Sequence, residues 1–143
     1  MSVYLSVNMK PKSAKNKGRI LCKTLKKKLE DSFNFKPGDV EITSSGAGGM
    51  DLKLSPHARR LFPFAVECKN QELLNIWKAY SQAASNCPHE LMPLVVFKRN
   101  RTDPYVMLDL EDFLWMAKSL FLSENSLDVA QRSDHPDASK DES

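Results

Sequence analysis

Three residues in this 143-residue chain have the types and spacing of a hydrolytic site. Asp51 lies just after the glycine-rich run Ser44-Ser45-Gly46-Ala47-Gly48-Gly49, and Glu67-Cys68-Lys69 ends the apolar run Phe64-Ala65-Val66. Strand side chains alternate between faces, so Glu67 and Lys69 point the same way. A neighbouring strand would add Asp51 to the cluster. Aspartate and glutamate oxygens are hard ligands suited to Mg2+, with Mn2+ able to substitute, and such an ion keeps waters that can become nucleophiles. A lysine on the same face can orient the attacking water, help deprotonate it or offset phosphate charge. Those parts suit phosphodiester hydrolysis. Without a cation between them, the two carboxylates repel, which raises at least one pKa.

These residues need elements to hold them. The spacing of Leu21, Leu25, Leu29 and Phe33 predicts a helix over 17–33, with Ile20 and Cys22 widening its apolar stripe. Pro37-Gly38 breaks it. Residues 39–43 alternate as a strand, 50–54 resume the alternation after the glycine turn, and 56–63 read as a loop carrying His57, Arg59 and Arg60. A strand over 64–69 is followed by a helix over about 71–86, with Leu73, Leu74, Trp77, Tyr80 and Ala84 on one side. Leu94-Val95-Val96-Phe97 is apolar throughout, as in strands covered on both faces. After Lys98 and Arg99 comes a turn at Asp103-Pro104, a strand over 105–108, and a helix over 111–122 with Phe113, Leu114, Ala117, Leu120 and Phe121 facing a core. This order implies an α/β fold, a mixed central β-sheet flanked by helices.

Charge is distributed unevenly. Lys and Arg number 21 against 18 Asp and Glu, for a net charge of +3, yet the nine cations from Met1 to Leu29 meet no acidic residue. Lys15, Lys17, Arg19 and Lys23 on this segment, with Arg59, Arg60, Lys98 and Arg99 further on, are the candidate nucleic-acid contacts. The other reading of the head is a solvated basic arm. From Ser123 onward six acidic residues stand against two basic ones, and the absence of apolar periodicity predicts a disordered tail. The expected organisation is therefore a basic arm over 1–16, a domain over 17–122 and an acidic tail over 123–143. No apolar run reaches the length of a membrane span, and no secretion signal is legible, so a cytoplasmic protein is expected by default. Cys22, Cys68 and Cys87 show no CxxC spacing and read as reduced packing thiols, and His57 and His89 have no partner at ligand spacing.

The pattern of Asp51 followed by Glu67-x-Lys69 on a buried strand resembles the PD-(D/E)xK nuclease superfamily. Lys17-Gly18-Arg19 at a helix start and Ser45-Gly46 in a turn narrow the likeness to Holliday-junction resolvases of the archaeal and phage kind, over about residues 17–113. The resemblance implies a restriction-endonuclease-like core, with Asp51, Glu67 and Lys69 catalytic and the two carboxylates on the metal. It adds Ser45 as an accessory residue, and Gln82 as one facing the site from the second helix. The chain departs from the pattern twice. Met50 stands where a proline often precedes the aspartate, and the glutamate that many resolvases carry on the first helix falls near Cys22. Glu41 is then the candidate third carboxylate, its other reading being a solvent-facing strand residue. The expected activity is Mg2+-dependent, structure-selective cleavage of branched or double-stranded DNA. Other repair or restriction-like cutting and an inactive nucleic-acid-binding module are the alternatives. Two equivalent strands to cut at a four-way junction call for a homodimer, as does the resemblance, with Trp115 and Met116 lying off the core stripe of the last helix.

Overall fold

A computed structural model describes residues 11–44 and 48–132, with side chains placed at 13–44 and 48–124. Helix α1 runs from Pro11 to Phe33 and so begins ahead of Lys17. Leu21, Cys22 and Leu29 are buried along it, whereas Ile20 is 54% exposed and lies outside the stripe. The helix stops where Asn34 takes φ 53°, a left-handed conformation asparagine tolerates. The Phe35 N–H then returns to the Glu30 carbonyl at 3.2 Å.

Strands β1 (Val40–Ile42) and β2 (Leu52–Leu54) form an antiparallel pair in which Val40 faces Leu54 and Ile42 faces Leu52. The glycine turn between them is drawn closed by Thr43, whose Oγ1 donates to the Met50 carbonyl at 2.6 Å. Residues 56–61, expected as loop, are instead the short helix α2 (Pro56–Leu61). Ser55 starts it: its Oγ accepts from Ala58 N–H at 3.1 Å and donates to Asp39 Oδ1 at 2.6 Å. Pro56 pre-sets the first helical turn rather than breaking it.

Strand β3 (Phe64–Asn70), helix α3 (Ile76–Ser85) and strand β4 (Met92–Lys98) form a parallel crossover unit, with Glu67 opposite Val95 and Cys68 opposite Val96. Strand β5 (Tyr105–Met107) adds antiparallel to β4. The single mixed sheet expected is therefore realised as two hydrogen-bonded sheets, β1-β2 and the mixed β3-β4-β5. Helix α1 packs on β3 while α3 packs on β4 and β3. The buried face of α3 differs from the expected one: Ala79 and Ala83 meet Val95, with Leu74, Tyr80, Phe97 and Met107 around them. Asn75 caps the helix, so Leu73 precedes it and is 93% exposed, and Trp77 is 76% exposed. Two alanines let α3 approach the strand more closely than a Leu–Trp face would allow.

The chain divides after Leu108. The second unit contains α4 (Leu110–Arg132), which continues past Leu122 through the first part of the expected tail. Asp109 Oδ1 caps it, accepting from Glu111 N–H at 2.9 Å and Asp112 N–H at 3.3 Å. Phe113, Leu114, Leu120 and Phe121, expected as core, are exposed, as is Trp115. Apolar residues spread around the helix do not define one core stripe. The remaining tail, 133–143, and the first ten residues of the expected arm lie outside the described residues. No helix among the described residues is long and apolar enough to cross a membrane.

The load on β2 is testable. Leu52 is 1% exposed, so Leu52→Ala is expected to cost about 2–5 kcal/mol through lost burial and a residual cavity. Urea unfolding should show the midpoint falling at an unchanged slope.

Candidate active site

Asp51 lies where the two sheets meet. Its carbonyl accepts from Thr43 N–H at 3.0 Å, and its N–H donates to the Val66 carbonyl at 3.0 Å. Its Oδ2 accepts from Cys68 N–H at 2.6 Å, so the side chain takes the place of the next strand carbonyl along β3. Leu52 and Leu54 anchor the strand that follows, and Thr43 closes the turn before it. Asp51 therefore reaches β3 through its backbone and its carboxylate together.

Glu67 and Lys69 sit on the same face of β3, as alternation requires, and their side chains touch: Lys69 Nζ lies 3.2 Å from Glu67 Oε1. Glu67 is 4% exposed, the one buried charged residue among those described. Burial pushes its carboxyl up, and the nearby Asp51 charge pushes further, against the opposing pull of Lys69. Burial likewise raises Asp51, opposed by the Cys68 N–H and by Lys69. Desolvation thus outweighs the mutual repulsion read from sequence. Lys69 is the cation that opposes both shifts, and the two carboxylates sit in a poorly hydrated place.

The three residues share a cleft of about 460 Å³ whose walls come from α1, the β1 end and β3. Lys15, Gly18, Arg19 and Cys22 line it from α1. Gly18 permits a close approach there, since a Cβ would lie 3.3 Å from the Cys68 carbonyl oxygen, a tight contact. Asn70, a lining residue that the sequence reading missed, has a buried Oδ1 with no hydrogen-bond donor. An oxygen acceptor without a donor, in a cleft that also holds two carboxylates, fits a hard divalent cation. Asp51 and Glu67 would hold the ion. Its only advance signal was position, one residue past Lys69 at a strand end.

The other candidates divide. Lys17 reaches from α1 to Asn100, its Nζ donating to Oδ1 at 2.9 Å, which brings the turn after Lys98 and Arg99 to the helix that walls the cleft. Lys23 opens on a different recess of α1, with Lys27 and Lys28. Arg59 and Arg60 sit on α2 and do not line the cleft; Arg59 Nε donates to the Leu54 carbonyl at 3.2 Å. Glu41 is exposed and opposite Lys53, and Gln82 is exposed on α3; neither lines the cleft. Ser45 lies outside the described residues. Cys22 and Cys68, expected as packing thiols, are indeed buried but also line the cleft. The Cys68 thiol is pushed up by its hydrogen bond with Cys22, by burial and by the adjacent Cys22, Asp51 and Glu67.

A family profile described as "Phage putative PDDEXK endonuclease" matches residues 13–134. No curated protein and no solved structure matches the chain.

The carboxyl shifts carry a sign. Both groups hold protons more tightly folded than unfolded, so their contribution to stability is present at low pH. It is lost as pH rises from about 4 through the raised folded values. Glu67→Gln should therefore flatten the fall in stability across that window and raise the melting temperature of the metal-free protein at neutral pH. Equal or lower stability at neutral pH would contradict the electrostatic account.

Proposed function

Because the chain belongs to the phage PDDEXK endonuclease family, a branch of the PD-(D/E)xK nucleases, we propose that Asp51, Glu67 and Lys69 are its catalytic residues. We further propose that it cuts the phosphodiester backbone of branched DNA, four-way junctions above all. The observation that carries the reading is the contact of Lys69 Nζ with buried Glu67 at 3.2 Å, in the cleft that also holds Asp51.

Each side chain has a task. Asp51 is held by the Cys68 N–H, so its carboxylate is oriented before any ligand arrives. Glu67 supplies the second carboxylate from within β3. Mg2+ held by the two would lower the pKa of a bound water and offset charge on the phosphate oxygens, with Mn2+ able to substitute. Lys69 favours the ionised form of Glu67 and presents an ammonium at the cleft, where it orients the attacking water or balances the phosphate. Lys15, Lys17 and Arg19 on α1, with Lys98 and Arg99 after β4, supply phosphate contacts that position the backbone without reading bases. A nuclease of this kind works on DNA in the host-cell cytoplasm.

Two strands must be cut at a junction, and one chain carries one such cluster. The working unit is then a homodimer, and the exposed apolar residues of α4, Trp115 at 59% among them, supply surface for self-association.

Cleavage of a four-way junction, with linear duplex as competitor, tests the reading. Cutting should require Mg2+ or Mn2+ and stop with EDTA. Asp51→Asn and Lys69→Ala should each lose about 10²–10⁴-fold in turnover. Junction binding by Lys69→Ala should stay within a few-fold of wild type, because one lysine is a small part of the basic surface. Preferred cutting of linear duplex would redirect the substrate to repair or restriction-like DNA, and undiminished cutting by Asp51→Asn would remove the site. Sedimentation of wild type against Trp115→Glu locates the dimer contact: a wild-type monomer making paired cuts would overturn it.

A further inference from the structure

Two buried thiols beside the catalytic aspartate have no part in that chemistry. Cys22 comes from α1 and Cys68 from β3, and they are 3% and 5% exposed. Their sulfurs and a carboxylate oxygen of Asp51 all lie within 4.8 Å of one another. A tetrahedral zinc with Zn–S of about 2.3 Å and Zn–O of about 2.1 Å spaces its ligand atoms roughly 3.5–3.8 Å apart. A donor set already this tight closes on such an ion with side-chain movements of about an ångström. The carboxylate remains competent while Oδ2 keeps its bond from Cys68 N–H, because a second oxygen is available. All three residues line the cleft, so an ion can enter and a water can complete four-coordination.

The donor types set the selectivity. Mg2+ takes oxygen and dehydrates reluctantly, whereas thiolate sulfur selects zinc and other soft divalent ions. Asp51 thus belongs to two donor sets: an oxygen set with Glu67 and a sulfur-rich set with Cys22 and Cys68. An ion in the second occupies the carboxylate that the first needs. We propose that Cys22, Cys68 and Asp51 form a thiophilic cation site, for zinc or cadmium, whose occupation is antagonistic to the nuclease centre. Binding displaces the two thiol protons to solvent, and both thiolates and the carboxylate become ligands. The antagonism rests on the proposed nuclease function, and the binding does not.

Cadmium reports the site directly through the ultraviolet charge-transfer absorption of its thiolate bonds. Titrated into the reduced full-length protein under a non-thiol reductant, Cd2+ should give a saturable band at one ion per chain that excess Mg2+ does not abolish. Cys22→Ser and Cys68→Ser should each weaken binding by at least about tenfold, since loss of even an outer-shell partner costs about 10–100-fold. Asp51→Asn should weaken it too, and Cys87→Ser should leave it intact. Should Cys68→Ser fail to fold by circular dichroism, Cys22→Ser and Asp51→Asn carry the test. No band, a band undiminished in Cys22→Ser, or one that needs Cys87 overturns the site. In the Mg2+-supported junction assay, added zinc should inhibit wild type and inhibit Cys22→Ser at least about tenfold less sensitively. Cadmium binding in a protein that never cuts DNA would sink the nuclease reading and leave the cation site standing. Cutting without a cadmium band would do the reverse.

Discussion

The hydrogen bond from Cys68 N–H to the Asp51 carboxylate, 2.6 Å long, is the constraint on which the arrangement turns. Two small sheets that do not share a continuous ladder are bridged at this residue, by its N–H to Val66 and its carbonyl to Thr43 as well. A carboxylate has replaced a backbone carbonyl as acceptor, and a charge-assisted bond of this kind is stronger than the neutral one it replaces. The same bond fixes the rotamer of the residue on which the proposed chemistry depends. Architecture and site therefore share one interaction, and a change at Asp51 acts on both.

Around that bond the molecule places two carboxylates where burial solvates them poorly. Glu67 arrives from the middle of a strand whose neighbours are apolar, with Lys69 as the cation in contact with it. In the absence of a ligand this costs stability, which the apolar packing of β3 and β4 between α1 and α3 must offset. Burial strengthens every interaction the carboxylates make with a cation, because the dielectric that penalises them also fails to screen them. The cleft is thus suited to a divalent ion.

The site was more legible in the sequence than the scaffold. Alternation alone put Glu67 and Lys69 on one face, and the polar end of an apolar run marked them as unusual. Asp51 followed from adjacency of strands, although its bridging role between two sheets did not, because hydrogen bonds from a side chain to another strand leave no periodic trace. Residues 56–61 read as loop because two prolines flank them, whereas Ser55-Pro56 is a helix-start signal when a serine oxygen can reach Ala58. The α3 stripe was misassigned toward the largest apolar residues, Leu73 and Trp77, while close packing on β4 selected Ala79 and Ala83. Glu41 and Gln82 were inferred from resemblance, and they lie away from the cleft. The pairing of Cys22 with Cys68 joins residues from a helix and a strand that are distant in sequence, so no local spacing announces it.

Helix α1 has no acidic residue in its first turn, and Lys15, Lys17 and Arg19 follow within the next turns. These cations lie beyond the first turn, to which the effect of the helix dipole is confined, and they repel one another along the helix. Their mutual repulsion is relieved by any polyanion laid across them. If the proposed phosphate contacts form there, this part of the helix becomes a linkage element. Bound phosphate would then stabilise the helix as well as the complex, and part of the salt dependence of binding would be a salt dependence of helix formation.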